Sequence, residues 1–238
     1  MIPVAGQATR LASRTGGRPK ALLDIGGRPV LIRLLEQLSP AVTDVCLVIG
    51  RSGQAVRETF GKRACGARLH YALQTRPAGV ADAVGRAGEL VRGPFLVVMG
   101  DVYYEEPLAP YVEEWRRSGI EGGVLVEPIE PHVAGEVGLV RTRADRVVEI
   151  FKAPFDGRAE LRVCGMMMFP EAAFAFLRRT GSGQTGEAEL EEAVAAMIRE
   201  GKEFLAVRYR GWRRNINSSD DLEAVRRRLA GRGRAARE

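Results

Sequence analysis

Apolar residues recur along this chain at two periods, and each period predicts a kind of element. Leu31, Leu34, Leu35 and Leu38 lie three or four residues apart and predict an amphipathic helix over Val30–Leu38. Val45–Ile49 is a continuous apolar run closed by Gly50, the pattern of a strand covered on both faces. Ile2–Ala5, Arg68–Leu73 and Pro94–Met99 read as further strands. Helical stretches over Ser52–Phe60 and Ala78–Val91 separate them. This alternation predicts a mostly parallel sheet with helices on both faces.

Beyond Asp101 the rhythm changes. Pro107–Arg117 is expected as a helix, and Glu121–Val126, Val163–Phe169 and Phe204–Tyr209 as strands. Val137–Arg141 and Arg146–Phe151 flank a polar turn at Ala144–Asp145 and predict a hairpin. Glu187–Glu200 is expected as a helix with Leu190, Val194 and Ile198 on one stripe, and Asp220–Leu229 as the last helix. No Gly/Ser-rich linker or internal repeat divides the chain. The expectation is one α/β domain over 1–238. It is a Rossmann-like three-layer αβα sandwich with a mostly parallel central sheet and a small β-hairpin insertion in the C-terminal half.

The chain has 238 residues, 45% hydrophobic and 28% charged, enough to bury roughly 70–75% of its unfolded surface. No apolar run approaches the roughly 20 residues that span a bilayer, and the N-terminus lacks signal-peptide features. Cys46, Cys65 and Cys164 are odd in number and scattered, which fits a reducing compartment. A soluble, cytoplasmic protein with no membrane partner is expected, and a homo-oligomer is compatible with the sequence. The net charge of +6 points to an anionic partner. Lys20, Lys62, Lys152 and Lys202 are the only lysines, however, so the excess is a general arginine bias. The densest basic stretch, Arg226–Arg237, has no interleaved aromatics for base stacking. It reads as a solvated, fraying helix end, and nucleic acid is not expected as a partner.

The chemistry concentrates near the N-terminus, where Ile2-Pro3-Val4-Ala5-Gly6-Gln7-Ala8-Thr9-Arg10-Leu11 leads to Arg18-Pro19-Lys20-Ala21-Leu22-Leu23. A strand opening into a loop of small residues lets backbone N–H groups approach a polyphosphate, whose charge the following Arg and Lys can neutralise. The Gly-x-x-x-x-Gly-Lys-Ser/Thr and Gly-x-Gly-x-x-Gly motifs are both absent, which disfavours a P-loop ATPase and a dinucleotide dehydrogenase. Val97-Val98-Met99-Gly100-Asp101 ends a strand on an aspartate, and such ends face the ligand crevice of α/β sheets. One carboxylate there suits magnesium, which takes its other ligands from phosphates and water.

Together these segments resemble the sugar-1-phosphate nucleotidylyltransferases (nucleotide-sugar pyrophosphorylases), among them glucose-1-phosphate thymidylyltransferase. The matching motifs are Ala-Gly-x-Ala-Thr-Arg-Leu, Pro-Lys-x-Leu-Leu, Gly-Gly-x-Pro-Val, Gln74…Pro77-Ala78-Gly79, Gly100-Asp101, Lys152-Ala153-Pro154 and Trp212…Asp221-Leu222. The resemblance implies a nucleotide-binding half over 1–110, an acceptor-binding half over 111–222 and a basic tail over 223–238. It implies that Ala5, Gly6, Gln7, Ala8 and Thr9 cradle the triphosphate while Arg10 and Lys20 hold its phosphates. Gln74 and Gly79 would read the base, with UTP or dTTP favoured. Asp101 would hold Mg2+, joined by Asn215 or Asn217, where relatives carry aspartate. Gly138, Lys152, Cys164 and Glu187 would contact the acceptor, with Lys152 on its phosphate. Phe151 stands where relatives have a sugar-contacting glutamate. The implied reaction is attack by a sugar 1-phosphate on the α-phosphorus with release of pyrophosphate, and Arg10, Lys20, Asp101 and Lys152 would be the catalytic residues. Two other readings stay open: a non-sugar acceptor such as phosphocholine or molybdopterin, and a non-catalytic nucleotide-binding regulatory subunit.

Overall fold

The protein's structure, a computed structural model, describes residues 1–5, 18–51, 53–76, 78–130, 135–180 and 187–235. Its elements in chain order begin with β1 (Ile2–Pro3), α1 (Val30–Leu38), β2 (Asp44–Ile49), α2 (Gln54–Phe60), β3 (Arg63–Ala64), β4 (Ala67–Leu73) and α3 (Val80–Arg86). There follow β5 (Phe95–Val98), β6 (Val102–Tyr104), α4 (Ala109–Ser118), β7 (Gly122–Pro128), β8 (Glu136–Arg143), β9 (Arg146–Pro154) and β10 (Leu161–Phe169). The last are α5 (Ala173–Arg179), α6 (Leu190–Arg199), β11 (Phe204–Arg208), β12 (Arg213–Asn215) and α7 (Ser219–Ala235). Single 3-10 turns occupy Lys20–Leu22 and Gly88–Leu90.

The chain forms two interleaved compact units. The first comprises 2–75, 99–109 and 211–238, the second residue 1 with 76–98 and 110–210. This differs from the contiguous halves expected at 110 and 222: residues 76–98 join the later segment, and the C-terminal segment joins the first.

The first unit holds a four-stranded sheet in the order β1-β2-β4-β3 and the two-stranded ribbon β6-β12. β2 runs parallel to both β1 and β4, as the strand–helix alternation requires, while β3 folds back antiparallel on β4. β2 is buried from Val45 to Ile49 because it has neighbours on both sides. α1 buries Val30, Leu31, Leu34, Leu35 and Leu38, the apolar stripe that its period of 3.6 dictates.

The second unit corrects the expectation of a mostly parallel sheet. Its six strands run β5-β10-β7-β11-β9-β8, and β10 also pairs with β8, so five strands close into a ring. Only β11 and β7 are parallel; the remaining pairings are antiparallel. The expected small hairpin is therefore part of this ring, its strands longer than anticipated and joined through Ala144 at φ 55 and Asp145. Of these antiparallel pairs, only β8 and β9 are joined by a short turn that returns the chain beside itself; the others join strands distant in sequence. Phe95 stacks between Phe169 and Phe174 at centroid distances of 5.4 and 4.4 Å. α6 buries Leu190, Ala193, Val194 and Met197, so Met197 takes the place that the stripe had given to Ile198. Among the described residues, no helix is long and apolar enough to cross a membrane.

Candidate active site

In the first unit, three residues far apart in sequence are brought together. β6 begins immediately after Asp101, and β12 ends two residues before Asn217. These strands pair antiparallel with Asn215 opposite Val102, and the Ile216 N–H donates to the Asp101 carbonyl at 2.8 Å. Asn217 therefore follows directly beside Asp101. Lys20 opens a 3-10 turn after Pro19, whose ring fixes the entering φ. Each of the three is seated by apolar neighbours, since Leu23, Tyr103 and Ile216 belong to one buried cluster with Ile25, Val30, Leu222 and Val225. The Lys20 ammonium donates to Asp101 Oδ2 at 3.0 Å and to Asn217 Oδ1 at 2.8 Å. The Lys20 and Asp101 side chains keep 20% and 28% of their surfaces exposed, so the cluster is open to a ligand.

The other expected residues of this unit are placed unequally. Asn215 lies outside the cluster, its Oδ1 accepting from the Arg213 guanidinium at 2.6 Å. Gln74 is buried at the end of β4, with its backbone N–H on the Ile49 carbonyl. Ala5 runs close past Gly50, where an added Cβ would lie 3.0 Å from the Ala5 carbonyl oxygen. Gly6, Gln7, Ala8, Thr9 and Arg10 lie outside the described residues.

The arginines Arg226, Arg227 and Arg228 are exposed, as a solvated helix end requires, and Arg228 is also anchored. The Arg228 guanidinium makes a paired contact with Glu105 at 2.7 and 2.8 Å and lies over the Trp212 ring at 5.6 Å. The Arg228 hydrogen bond, ahead of the opposing effect of burial, holds the Glu105 carboxyl below its ordinary range. At the helix N-terminus, Ser218 and Asp221 form a reciprocal cap: Ser218 N–H donates to Asp221 Oδ2 at 2.9 Å, and Asp221 N–H to Ser218 Oγ at 3.2 Å.

A second lysine centre lies in the other unit. Gly138 on β8 and Lys152 on β9 are direct cross-strand partners. The Lys152 ammonium donates to Glu189 Oε1 at 2.5 Å, and the Glu189 side chain is only 6% exposed. Burial alone would push the Lys152 pKa down, but the bond and charge of Glu189, with the charges of Glu191 and Glu187, raise it above the ordinary lysine value. Burial is also the chief cause pushing the Glu191 carboxyl up. A Cβ at Gly138 would come within 2.5 Å of Glu191 Oε1 and 2.8 Å of Val163 Cγ2, so those side chains would have to shift to admit it.

The charge of Glu187 is felt at Lys152, but it is Glu189 that bonds the ammonium. No local signal in the sequence singles out Glu189, and the structure buries it while Glu187 stays exposed. Gly79 has a further role: at φ 99 it lies so close to Ala188 that a Cβ would meet that residue's N and O at 2.4 Å. Ala81 N–H donates to the Ala188 carbonyl and Ala188 N–H to the Ala78 carbonyl, at 2.9 and 3.1 Å. Gly79 therefore seats the segment that carries Glu187 and Glu189. Cys164 departs from expectation, because its side chain is fully buried in β10 and offers no exposed sulfur to an acceptor. Lys152, Phe151 and Glu189 line a cleft of about 880 Å³ that also includes Arg158, Arg179 and Arg199.

The sequence profile described as nucleotidyl transferase matches residues 1–225. A UTP–glucose-1-phosphate uridylyltransferase, AglF of Haloferax volcanii, is 25% identical over 231 residues, covering 96% of this chain and 95% of its own. The bifunctional protein GlmU of Methanocaldococcus jannaschii is 25% identical over 203 residues, and this chain spans about half of its length, 47%. Among solved structures, a UDP-glucose pyrophosphorylase complexed with UDP-glucose superposes with a TM-score of 0.87 at 18% identity, covering 97% of both chains. A putative glucose-1-phosphate thymidylyltransferase from Bacillus anthracis gives 0.83 at 21%, covering 95% of this chain and 92% of its own. Those two likenesses establish the mixed α/β fold, and the profile, running from the first strand into the last helix, establishes the family: this chain belongs to the nucleotidyl transferases and is an enzyme of that family.

Proposed function

We propose that the enzyme transfers a nucleoside monophosphate from UTP, or from dTTP, to a sugar 1-phosphate and releases pyrophosphate, with magnesium at Asp101 and Asn217. The observation that carries this reading is the convergence of Lys20, Asp101 and Asn217, separated by 81 and 197 positions in sequence, on hydrogen bonds of 3.0 and 2.8 Å. The uridylyltransferase activity named for AglF supports the choice of nucleotide and acceptor.

The donor set fits magnesium. Asp101 and Asn217 offer two oxygens that already accept from one cationic group. Among the described residues no group of three or more His, Cys, Asp or Glu could form a protein cage. That combination suits an ion that takes most of its ligands from phosphates and water. When bound, the ion would neutralise developing negative charge on the phosphates. Asn217 brings no charge of its own, so Lys20 supplies a compensating positive charge for the triphosphate. Lys152 binds the acceptor phosphate, and Glu189 holds its ammonium in place and charged. An acceptor phosphate is ionised at neutral pH, so no side chain need remove a proton from it; alignment and charge neutralisation carry the rate.

The test is pyrophosphate release across UTP, dTTP, CTP, ATP and GTP, each with several sugar 1-phosphates and with phosphocholine. UTP or dTTP with a hexose 1-phosphate is expected to turn over, and chelation of the metal to stop it. Nucleotide binding without turnover for any pair would overturn the proposal.

A further inference from the structure

We propose that Asp221 is a positioning residue for the candidate metal site, locking the turn that presents the Asn217 carbonyl oxygen. The inference rests on the proposed reading of Asp101 and Asn217 as metal ligands. Asn217 is exposed and lies in the turn between β12 and α7, with no strand ladder to hold it. One carboxylate gathers that turn. Asp221 Oδ2 accepts from Asn217 N–H at 3.1 Å, Ser218 N–H at 2.9 Å and the Ser218 hydroxyl at 2.8 Å, while Oδ1 accepts from Arg214 Nε at 2.7 Å.

A capping box uses only the reciprocal pair between Ser218 and Asp221. The bonds from the Asn217 backbone N–H and the Arg214 side chain go beyond the helix cap, and they tie residues on either side of Ile216 to one carboxylate. Ile216 itself is fully buried and bonded to the Asp101 carbonyl. The chain is therefore fixed at Arg214, Ile216, Asn217 and Ser218, and the Asn217 side chain is left facing Lys20 and Asp101. Position matters more for this ligand than for an aspartate, because a neutral amide oxygen attracts an ion less strongly than a carboxylate does. Partners that orient a metal ligand are typically worth about 10–100-fold in metal affinity.

The experiment titrates Mn2+, standing in for magnesium, into the full chain with and without UTP, reading free ion by electron paramagnetic resonance well below the melting temperature. Asp221→Ala is expected to weaken binding about tenfold while the protein stays folded by circular dichroism. Asp221→Asn should recover to within about threefold, since its amide oxygen can accept from the Asn217 and Ser218 N–H groups, while the bond from Arg214 is lost. If Asp221→Ala does not fold, Asp221→Glu takes its place. It retains charge and a capping acceptor but lengthens the arm by a methylene, and the same loss is expected. A folded Ala or Glu variant that binds Mn2+ within twofold of the parent would overturn the proposal, because a residue that served only the helix would change melting and leave the ion alone. Failure of the parent to bind Mn2+ at all counts instead against the metal reading of Asp101 and Asn217, and this inference falls with it.

Discussion

Lys20 and Lys152 each hold an ammonium against a carboxylate, but the two pairs are built for different tasks. The Lys20–Asp101 pair is partly exposed on both sides, at 20% and 28%, and Lys20 shares its protons with the neutral Asn217. Fully exposed pairs contribute only about 0–1 kcal/mol; this part-buried pair leaves both groups within reach of water, so in the proposed reading a triphosphate can take over the lysine. Glu189, in contrast, is 6% exposed and has Lys152 at 2.5 Å, with Glu191 and Glu187 adding to the negative field. Separating that pair would strand a charge away from water. In the proposed reading the first lysine changes partners, and the second remains ionised and in place.

Removing Asp101 tests the open pair and should give the largest effect on rate. Asp101→Ala is expected to lower turnover about a thousandfold, the scale of losing one preorganised electrostatic group, yet to leave the thermal midpoint within a few degrees. Pyrophosphate release and a melting curve measure the two quantities on one sample. A large fall in melting temperature would mean that the pair is structural after all, and the contrast with Lys152 would vanish.

Lys152→Ala tests the closed pair and should cost both activity and stability. About a hundredfold loss in kcat/KM is expected, mainly through KM for the acceptor, with about 2 kcal/mol of destabilisation from taking the ammonium away from the buried Glu189 carboxylate. Adding Glu189→Gln should restore much of the stability and none of the acceptor binding, the non-additivity expected of contacting groups. The pH dependence has a definite sign. Because the folded pKa of Lys152 lies above the ordinary 10.5, the stabilisation is complete below about that value and is lost as pH rises through the folded pKa. Glu189→Gln alone should flatten that alkaline loss in a series of melts.

Much of this contrast was readable in the sequence. The strand–helix alternation through β4, the hairpin at Ala144–Asp145, and the candidate positions Lys20, Asp101 and Lys152 all follow from period and motif. What escaped is what depends on contacts between distant segments. Glu189 differs from Glu187 only by two positions along an extended stretch, and nothing local says which of them reaches Lys152. That Asn217 and not Asn215 meets Lys20 follows from the register of β6 with β12, which a single sequence does not display. The ring closed by β10 and β8 was hidden for the same reason: each strand looked ordinary, and the pairing partner was the unknown. Gly79 looked like a ligand contact, whereas its φ and its closeness to Ala188 give it a backbone reason to be glycine.

That reason makes Gly79→Ala a way to disturb the closed pair without touching either charge. An added Cβ meets the backbone of Ala188 at 2.4 Å and must also be carried at φ 99, so the segment holding Glu189 has to move. About 2 kcal/mol of destabilisation is expected from the strained backbone conformation. Acceptor KM should rise with it, by less than for Lys152→Ala. Melting and acceptor kinetics together check this, and an unchanged KM would show that Glu189 keeps its place by some other support.

The smallest effect should come from Arg228→Ala, which lies in the same unit as Lys20 but touches none of its cluster. It removes the paired contact to Glu105, whose side chain is 6% exposed, although Arg232 still lies 3.6 Å from that carboxylate. About 1 kcal/mol of destabilisation is expected, or roughly 2–4 °C for a chain of this size, with turnover within about twofold of the parent. The acid side of the stability curve supplies the sign. Arg228 holds the Glu105 pKa below the ordinary carboxyl value of 4.5, so its contribution is present above that pH and lost as pH falls through the folded pKa. The variant's melting temperature should therefore fall less steeply with acidification than the parent's. If turnover fell as far as stability did, the anchoring of α7 would have to be transmitted to Asn217, and the Lys20 cluster would be less independent of its scaffold than its exposure suggests.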